Sequence, residues 1–274
     1  MQLETSKVKF SKKDSRLDIR LPNLLTPELA YFIGVHVGDG SMPLYTKGYQ
    51  NYISYTGHLI DEYGFHINII KPLIKNLFNK EVKIQKDLRE NRTSVRTYFR
   101  SKAIFYFLSK VIGLTVGSKF NSGIPVIIKN SNNNIKINFV KGLIDTDGTL
   151  TFKRRYRNFH YYPTIALASK SRVLIADVNV ILKALGFETS VKYDMSFYDK
   201  RTRLFYTRSY AELNGVDNLN LWIDNIGFNS EKHITKYKIW KKYGFCPANT
   251  NINQRLGLLD GKIEILSFYN RKAL

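Results

Sequence analysis

The sequence is poor in cysteine and has no long apolar segment. Cys246 is the one cysteine among 274 residues, so no disulfide can form within the chain, and the five histidines show no metal-ligand spacing. No apolar run approaches the roughly 18–20 residues of a membrane span, and the first residues lack the apolar stretch of a secretory signal. These absences exclude disulfide scaffolds and zinc modules. They predict an intracellular protein with no membrane partner.

Acidic residues are also scarce relative to basic ones. The chain has 22 Asp and Glu against 43 Lys and Arg, which gives a net charge of +21 at pH 7. Hydrophobic residues make up 43% of the sequence, which is enough to close a core and too much for a disordered chain. Because a positive surplus of this size repels itself unless a polyanion neutralises it, we expect nucleic acid as the partner.

One short segment occurs twice. Residues 34–40 (GVHVGDG) return as residues 142–148 (GLIDTDG), with Gly34, Asp39 and Gly40 recurring at an offset of 108 residues. The same offset relates two further pairs of segments, 70–77 with 178–185 and 98–103 with 206–211. Three segments that share one offset indicate an internal duplication.

Each copy has the pattern of a helix, two strands, a helix, two strands and a closing helix. The first helix is expected to begin near Thr26 and Pro27, since Thr caps and Pro suits the first turn. A second helical period covers residues 67–78 and contains Pro72. The pattern divides the chain into a basic N-terminal arm (1–23), a first half (24–114), a linker (115–137), a second half (138–228) and a basic C-terminal extension (229–274).

The repeated acids are the sharpest local feature. Asp39 and Asp147 each follow an apolar helix, where a carboxylate meets the negative end of the helix dipole. A single Asp-Gly is commonly only a turn, but two copies at equivalent positions indicate a function. Small residues four apart, Gly34 with Gly38 and Gly142 with Thr146, would let the two helices approach closely. Two adjacent carboxylates favour a divalent cation, and the chemistry this implies is phosphodiester hydrolysis.

Segments 29–40 (LAYFIGVHVGDG) and 139–148 (FVKGLIDTDG) resemble the two signature motifs of monomeric LAGLIDADG homing endonucleases. With the repeat, the resemblance covers nearly residues 24–228. It implies an α+β fold of two pseudo-symmetric αββαββα halves, packed through the two motif helices, in which each half forms a saddle for DNA with an antiparallel sheet.

The resemblance also implies the chemistry of the site. Asp39 and Asp147 become the catalytic, metal-binding acids. Gly38 and Thr146 are counted with them as metal-binding residues, and Mg²⁺ or Mn²⁺ is the implied cofactor. Ca²⁺ is expected to bind without supporting cleavage. Val37 stands where the motif usually has the acid that Asp145 keeps, so Asp145 is not counted among the ligands. The implied products carry 3′ overhangs.

Long polar side chains at alternate strand positions are expected to contact bases and phosphates. Residues 92–100 show such an alternation, with Val95, Thr97 and Phe99 on one side. The candidates for DNA binding are Lys47, Gln50, Lys83, Gln85, Arg96, Tyr98 and Arg100 in the first half, and Lys153, Arg155, Arg157, Lys192, Arg203 and Arg208 in the second. Arg100 and Arg208 are matched by the repeat, and Lys153 is the basic candidate beside the metal site.

The leading hypothesis is a monomeric, site-specific endonuclease that cuts double-stranded DNA and promotes intron mobility. One alternative is a maturase that binds its intron RNA and assists splicing, and another is a DNA-binding regulator on the same fold. Retention of both Asp39 and Asp147 favours the nuclease. The basic terminal segments have two interpretations, packed helices with solvated lysines or additional phosphate contacts.

Overall fold

Two four-stranded antiparallel sheets, one in each half of the chain, form the framework of the protein. The computed structural model describes residues 1–44, 50–88, 93–200 and 202–269. The strands are β1 (Gly40–Ser41), β2 (Tyr52–His58), β3 (Lys83–Asp87), β4 (Ser94–Arg100), β5 (Gly148–Lys153), β6 (Tyr162–Ser169), β7 (Thr189–Asp199) and β8 (Leu204–Asn214). The orders β1-β2-β4-β3 and β5-β6-β8-β7 are the same topology used twice. The predicted α+β duplication is therefore confirmed.

Helices cover one face of each sheet and fill the space between the halves. They are α1 (Lys12–Arg16), α2 (Pro27–Gly38), α3 (Leu59–Phe65), α4 (Lys71–Phe78), α5 (Lys102–Tyr106), α6 (Val126–Lys129), α7 (Asn133–Thr146), α8 (Arg172–Ala184), α9 (Val216–Asn225), α10 (Glu231–Tyr243) and α11 (Ile252–Leu259). Within the described ranges, none of these helices has the length and apolar character needed to cross a membrane. Helix α7 begins inside the predicted linker, because Asn132 caps it.

Helices α2 and α7, the motif helices, lie against each other at the centre of the molecule. Helix α2 starts as predicted, since the backbone N–H of Leu29 donates to the side chain of Thr26 and Pro27 occupies the first turn. Every residue from Leu29 to Val37 is buried. A helix that is apolar all round needs protein on all sides, which is the environment between two halves.

The backbones of the motif helices touch at their glycines. A Cβ on Gly34 would overlap the carbonyl oxygen of Phe139, and a Cβ on Gly142 would overlap that of Tyr31. A Cβ on Gly38 would likewise overlap Oγ1 of Thr146. The predicted close approach of the two helices through small residues is confirmed, and it leaves no room for a larger side chain at these positions.

The helix predicted over residues 67–78 begins earlier and is interrupted. Helix α3 runs into the π-helical turn His66–Ile70, and α4 continues from Lys71 with Pro72 in its first turn. Proline has no N–H and clashes with the carbonyl four residues before it, so a wider turn at this point accommodates the ring. A second π-helical turn, Phe107–Val111, extends α5.

The strand alternation in the first half is confirmed. Val95, Thr97 and Phe99 are buried against the helices, whereas the intervening residues of β4 point away from them. Register places Lys83 and Gln85 of β3 beside these outward residues. We call this surface of each sheet, opposite the packed helices, the open face. In the first half it carries Lys83, Gln85, Arg96, Tyr98 and Arg100.

The strand registers change one part of the predicted repeat. In the first half Gly40 pairs with Tyr55 of β2, which pairs in turn with Thr97 of β4. In the second half Gly148 pairs with Leu167 of β6, which pairs in turn with Ala211 of β8. Thr97 is therefore equivalent to Ala211, an offset of 114 rather than 108. The predicted match of Arg100 with Arg208 is wrong, because extra residues in the β7–β8 hairpin shift the register and Arg100 corresponds to Asn214.

The C-terminal extension packs against both halves. Helix α10 lies against β5, where Lys236 donates to the carbonyl of Leu150, and α11 lies against α3. Arg255 of α11 is buried and donates to the carboxylate of Asp61 at 2.9 Å. Helices α10 and α11 are therefore packed, although Lys232 and Lys236 are hydrogen-bonded to the second half and not solvated, and additional phosphate contacts by this segment stay a prediction. The N-terminal arm is anchored in a similar way, since the buried carboxylate of Asp14 accepts from Ser101.

We expect Gly34→Ala and Gly142→Ala each to lower the free energy of unfolding by at least about 3 kcal/mol, because a Cβ forces two backbones apart. Gly64→Ala in α3 is the matched control. Its Cβ would meet nothing closer than 3.8 Å, so it should be neutral or stabilise the helix by up to about 1 kcal/mol. Chemical denaturation of the three variants measures this. Equal stabilities would contradict the close backbone contact.

A buried histidine predicts a pH dependence of stability. His66 lies against β4 with Nδ1 2.8 Å from Oγ1 of Thr97, and burial lowers the pKa of His66 from 6.5 to about 4. Between about pH 4 and pH 6.5, His66 is therefore protonated in the unfolded chain but neutral in the folded protein. Stability should therefore fall as the pH drops through this window, by up to about 3 kcal/mol. Urea unfolding at pH 6.5 and at about pH 4.5 should show this loss for the wild type and a smaller one for His66→Gln.

Candidate active site at the ends of the motif helices

The two repeated acids occupy equivalent positions. Asp39 follows the last residue of α2 and Asp147 follows the last residue of α7, with nearly the same backbone angles (φ −80°, ψ −10° and φ −81°, ψ −13°). Each is followed by a glycine that begins the first strand of its sheet. Because the helices are in contact along their length, their C-terminal ends bring both acids to the junction of the two sheets.

The electrostatics of the acids is unfavourable without a cation. Burial raises the pKa of Asp39 to about 8, and the negative charges of Glu62 and Asp147 act in the same direction. Asp147 is open to solvent on one side, but the protein around the rest of its carboxylate raises its pKa as well. Both carboxylates also lie at the negative ends of helix dipoles. Burial, the neighbouring negative charges and the helix dipoles therefore each favour a positive charge at this site.

Two lysines supply part of that charge. Lys119 donates from Nζ to three carbonyl oxygens at the end of α2, those of His36, Val37 and Gly38, at 2.9, 3.0 and 2.9 Å. Lys232 donates from Nζ to the carbonyl of Thr146 at the end of α7, at 2.7 Å. The last carbonyls of a helix have no donor four residues ahead, although that of His36 also accepts from the backbone N–H of Asp39, so each ammonium caps a helix end. Each ammonium also opposes the rise in pKa of the acids.

Sequence reasoning missed both lysines. Lys119 lies in the linker and Lys232 in the C-terminal extension, outside the segments that repeat at an offset of 108. A signal was present, because Ile112-Gly113 and Ile226-Gly227 precede them by similar distances. The predicted basic residue of the metal site, Lys153, has a different partner. It forms an ion pair with Glu212 at 3.2 Å, across the second sheet.

The remaining motif residues have different surroundings. Asp145 is buried and accepts from the hydroxyl of Tyr31 at 2.8 Å and from the backbone N–H groups of Asn229 and Ser230. It joins α7 to α2 and to the start of the extension, which is a structural role. The carbonyls of Gly38 and Thr146, named with the acids as metal-binding residues, already accept from the lysines and keep one lone pair each.

The donor set suits a hard cation that shares its ligands with a substrate. Among the described residues no group of three or more His, Cys, Asp and Glu side chains converges as a metal site. The chain therefore offers two carboxylates, and water or phosphate oxygens would complete the coordination. Mg²⁺ is characteristically bound in this way, through one or two carboxylates together with substrate phosphates. The residues present fit the implied metal.

The surroundings of the two acids are unequal. Beside Asp147 lies a cavity of about 290 Å³ lined by Lys119, Lys170 and several serines, groups that suit a phosphate. Beside Asp39, Glu62 forms an ion pair with Lys232 at 2.6 Å. Lys119, Lys232 and Glu62 act on both acids, so the difference between the two surroundings is the cavity beside Asp147.

Most predicted DNA-binding residues are exposed. In the first half Lys83, Gln85, Arg96, Tyr98 and Arg100 share the open face, and Gln50 lies at the turn before β2. Lys47 lies outside the described residues. In the second half Lys192 and Arg208 are on β7 and β8, and Arg203 precedes β8. Arg155 and Arg157 lie between β5 and β6, where they stack on Tyr162 and Tyr161.

Comparisons with known proteins agree with this architecture. Residues 134–227 match the family model described as a LAGLIDADG-like domain. The match covers almost the whole second half, 138–228. The matched segment runs from the start of α7 to the residue after Ile226 and so contains Asp147 and the whole second sheet. The resemblance expected from the two motifs is confirmed, and the identical strand order extends the fold to the first half.

Solved LAGLIDADG proteins share the fold of both halves. A variant of I-DmoI in complex with its nicked target DNA and Mn has a TM-score of 0.50 at 21% identity, over 74% of this chain and 96% of that chain. The homing endonuclease I-WcaI, bound to its DNA recognition sequence, has a TM-score of 0.50 at 14% identity, over 83% of this chain and 92% of that chain.

A curated relative matches over most of this chain. It is the replication factor C small subunit of Methanocaldococcus jannaschii, 27% identical over 196 residues. The match covers 70% of this chain and 10% of the relative, so the chain spans about a tenth of that protein's length.

We expect Lys119→Met to lower the free energy of unfolding by about 2 kcal/mol, because three carbonyls lose their donor and two acids lose a cation. Asp147→Asn in the Lys119→Met background should recover part of this loss, since the repulsion between carboxylates is then removed. A double-mutant cycle from urea unfolding measures the coupling. The control is Lys129→Met, which removes a surface ion pair with Asp177. Additive effects of the first two substitutions would contradict the coupling.

Proposed function

We propose that this protein is a site-specific endonuclease that cuts both strands of double-stranded DNA by metal-assisted hydrolysis. The observation that carries the proposal is the pair of acids, Asp39 and Asp147, placed at equivalent ends of two helices in contact, each end capped by a lysine. Two equivalent acids within one chain suit a substrate with two strands. The protein then acts as a monomer.

Each part of the site has a chemical task. Asp39 and Asp147 would hold Mg²⁺ or Mn²⁺, and the metal would supply charge stabilisation at the scissile phosphates. Lys119 and Lys232 fix the ends of the motif helices and keep positive charge beside both acids. The cavity lined by Lys119 and Lys170 suits a phosphate group next to Asp147. A Mn ion accompanies the DNA in the I-DmoI structure, which supports divalent metal use.

The open faces of the two sheets provide the DNA-binding surface. Arg96, Arg100 and Gln85 offer the donors that recognise guanine and adenine in the major groove. The acids lie at the junction between the sheets, so the cut falls at the centre of the bound site. Products with 3′ overhangs and a role in intron mobility follow from the resemblance to homing endonucleases and belong to this proposal.

Nuclease activity accounts for more of the site than the alternatives do. A DNA-binding regulator needs the open faces, but it has no use for two acids that are held close together despite the repulsion between their carboxylates. A maturase would bind intron RNA and could likewise dispense with the acids. Both Asp39 and Asp147 are present, with a lysine at each helix end, which favours cutting over binding alone.

Cleavage of a randomised DNA duplex library with Mg²⁺, followed by sequencing of the ends, tests the proposal. We expect one preferred site cut in both strands with 3′ overhangs. Asp39→Asn and Asp147→Asn should each reduce double-strand cleavage at least about 100-fold, because each removes a metal-binding carboxylate, while binding in Ca²⁺ persists. Asp224→Asn, at an exposed position of α9, is the matched control and should cut normally.

Three results would separate the candidate functions. Binding at one site without cleavage in Mg²⁺ or Mn²⁺ would identify a regulator. Tight binding to intron RNA without DNA cleavage would identify a maturase. Cleavage that survives the loss of both acids would remove the proposed mechanism altogether.

A further inference from the structure

The two halves differ most in the hairpin that ends each sheet. Ile84 and Thr97 pair across the first hairpin, and their equivalents in the second are Val191 and Ala211. Twelve residues connect the first pair, whereas nineteen connect the second. At roughly 3.4 Å per strand residue, the second hairpin extends about 12 Å further, close to the length of three or four base pairs.

A β-bulge fixes the direction of this extension. The register shifts between Lys192 and Met195, and Asp194 adopts a positive φ of 53°. The backbone N–H of Asp194 donates to Oγ of Ser209 at 3.1 Å, and its carboxylate accepts from Arg172 of α8 at 2.6 Å. Bulges bend a strand and re-aim the residues beyond it. The hairpin beyond residue 194 is thus held at its base by α8.

The open face of the extension carries apolar side chains next to polar ones. Cross-strand pairs place Met195 opposite Arg208, Phe197 opposite Tyr206, and Asp199 opposite Leu204. The ring of Phe197 packs on Tyr210, 5.6 Å between centroids, and Tyr210 pairs with Lys192. Phe197 therefore lies on the open face. Met195, Phe197 and Leu204 are 42%, 46% and 57% exposed, although nothing in a monomer requires apolar side chains there.

This face contrasts with that of the first half. The first open face carries Lys83, Gln85, Arg96 and Arg100, which recognise bases by hydrogen bonds. Met195, Phe197 and Leu204 have no such groups. In the major groove the apolar feature of a base edge is the C5-methyl group of thymine, which apolar side chains contact. The distal part of the second open face therefore adds three apolar side chains, beside Arg208, to the kind of polar group that the first face presents.

Basic residues lie near the apolar side chains of this face, together with one acid, Asp199. Lys200 and Arg203 flank the turn of the hairpin and are exposed, so they are placed to contact phosphates while the apolar side chains face the groove. On the opposite face the rings of Tyr198 and Phe205 pack at a tilt of 52°, with 5.1 Å between centroids, and join the two strands beyond the bulge.

We propose that the distal β7–β8 hairpin, residues 195–200 and 202–208, lengthens the DNA site on the side of the second half by three or four base pairs. There it recognises the methyl groups of thymine through Met195, Phe197 and Leu204. This inference rests on the proposed function, since it assigns part of the DNA specificity to one surface of the protein.

Replacing thymine with deoxyuridine tests the inference, because only the methyl group is removed. A binding site is first selected from random duplexes in Ca²⁺, and its outer positions on the side of the second half should be rich in thymine. Deoxyuridine at those positions should weaken binding by about threefold to tenfold. Phe197→Ala should weaken binding to the thymine duplex by a similar factor and should no longer distinguish thymine from deoxyuridine. Fluorescence anisotropy measures each Kd.

Phe205→Ala is the matched control, an aromatic residue of the same hairpin on the opposite face. It should retain the preference for thymine over deoxyuridine. Outer positions without thymine, equal affinities for both duplexes, or equal responses of Phe197→Ala and Phe205→Ala would each overturn the inference. Failure to select any DNA site would instead overturn the proposed function, so the two failures are distinguishable.

Discussion

The contact between the backbones of the motif helices is the constraint on which the structure depends. Gly34 and Gly142 each lie where a methyl group would overlap a carbonyl of the other helix, so the helices pack at the smallest separation that their backbones allow. That separation determines how far apart the two sheets lie and how close Asp39 is to Asp147. The geometry of the site is thus determined by two residues that have no side chain.

The close packing creates an electrostatic problem that distant segments solve. Two carboxylates and the negative ends of two helix dipoles meet at one point, and Lys119 and Lys232 reach it from the linker and from the C-terminal extension. Neither lysine belongs to the duplicated units. Segments outside the repeat have therefore become part of the site, and their packing against the halves has an electrostatic purpose.

The fold was largely predictable from the sequence because its signals are local. The cap at Thr26, the glycines that let α2 and α7 meet and the alternation in β4 each depend on neighbouring residues, and all three were confirmed. The partners of the acids were not predicted, because Lys119 reaches Gly38 across 81 positions and Lys232 reaches Thr146 across 86. The match of Arg100 with Arg208 failed for a related reason. An insertion in a loop shifts the alignment of the two repeats but does not change the hydrophobic pattern of the strands on either side of it.

The C-terminal extension ties the first half to the second through buried polar contacts. Arg255 and the backbone N–H of Ile252 both bind the carboxylate of Asp61, and Lys232 binds Glu62. The second half is consequently not a portable module. A chimera that joined this first half to another second half without residues 229–269 would leave Asp61 and Glu62 of α3 without their cations. An exchange of halves among duplicated proteins of this kind must therefore keep the extension together with the first half.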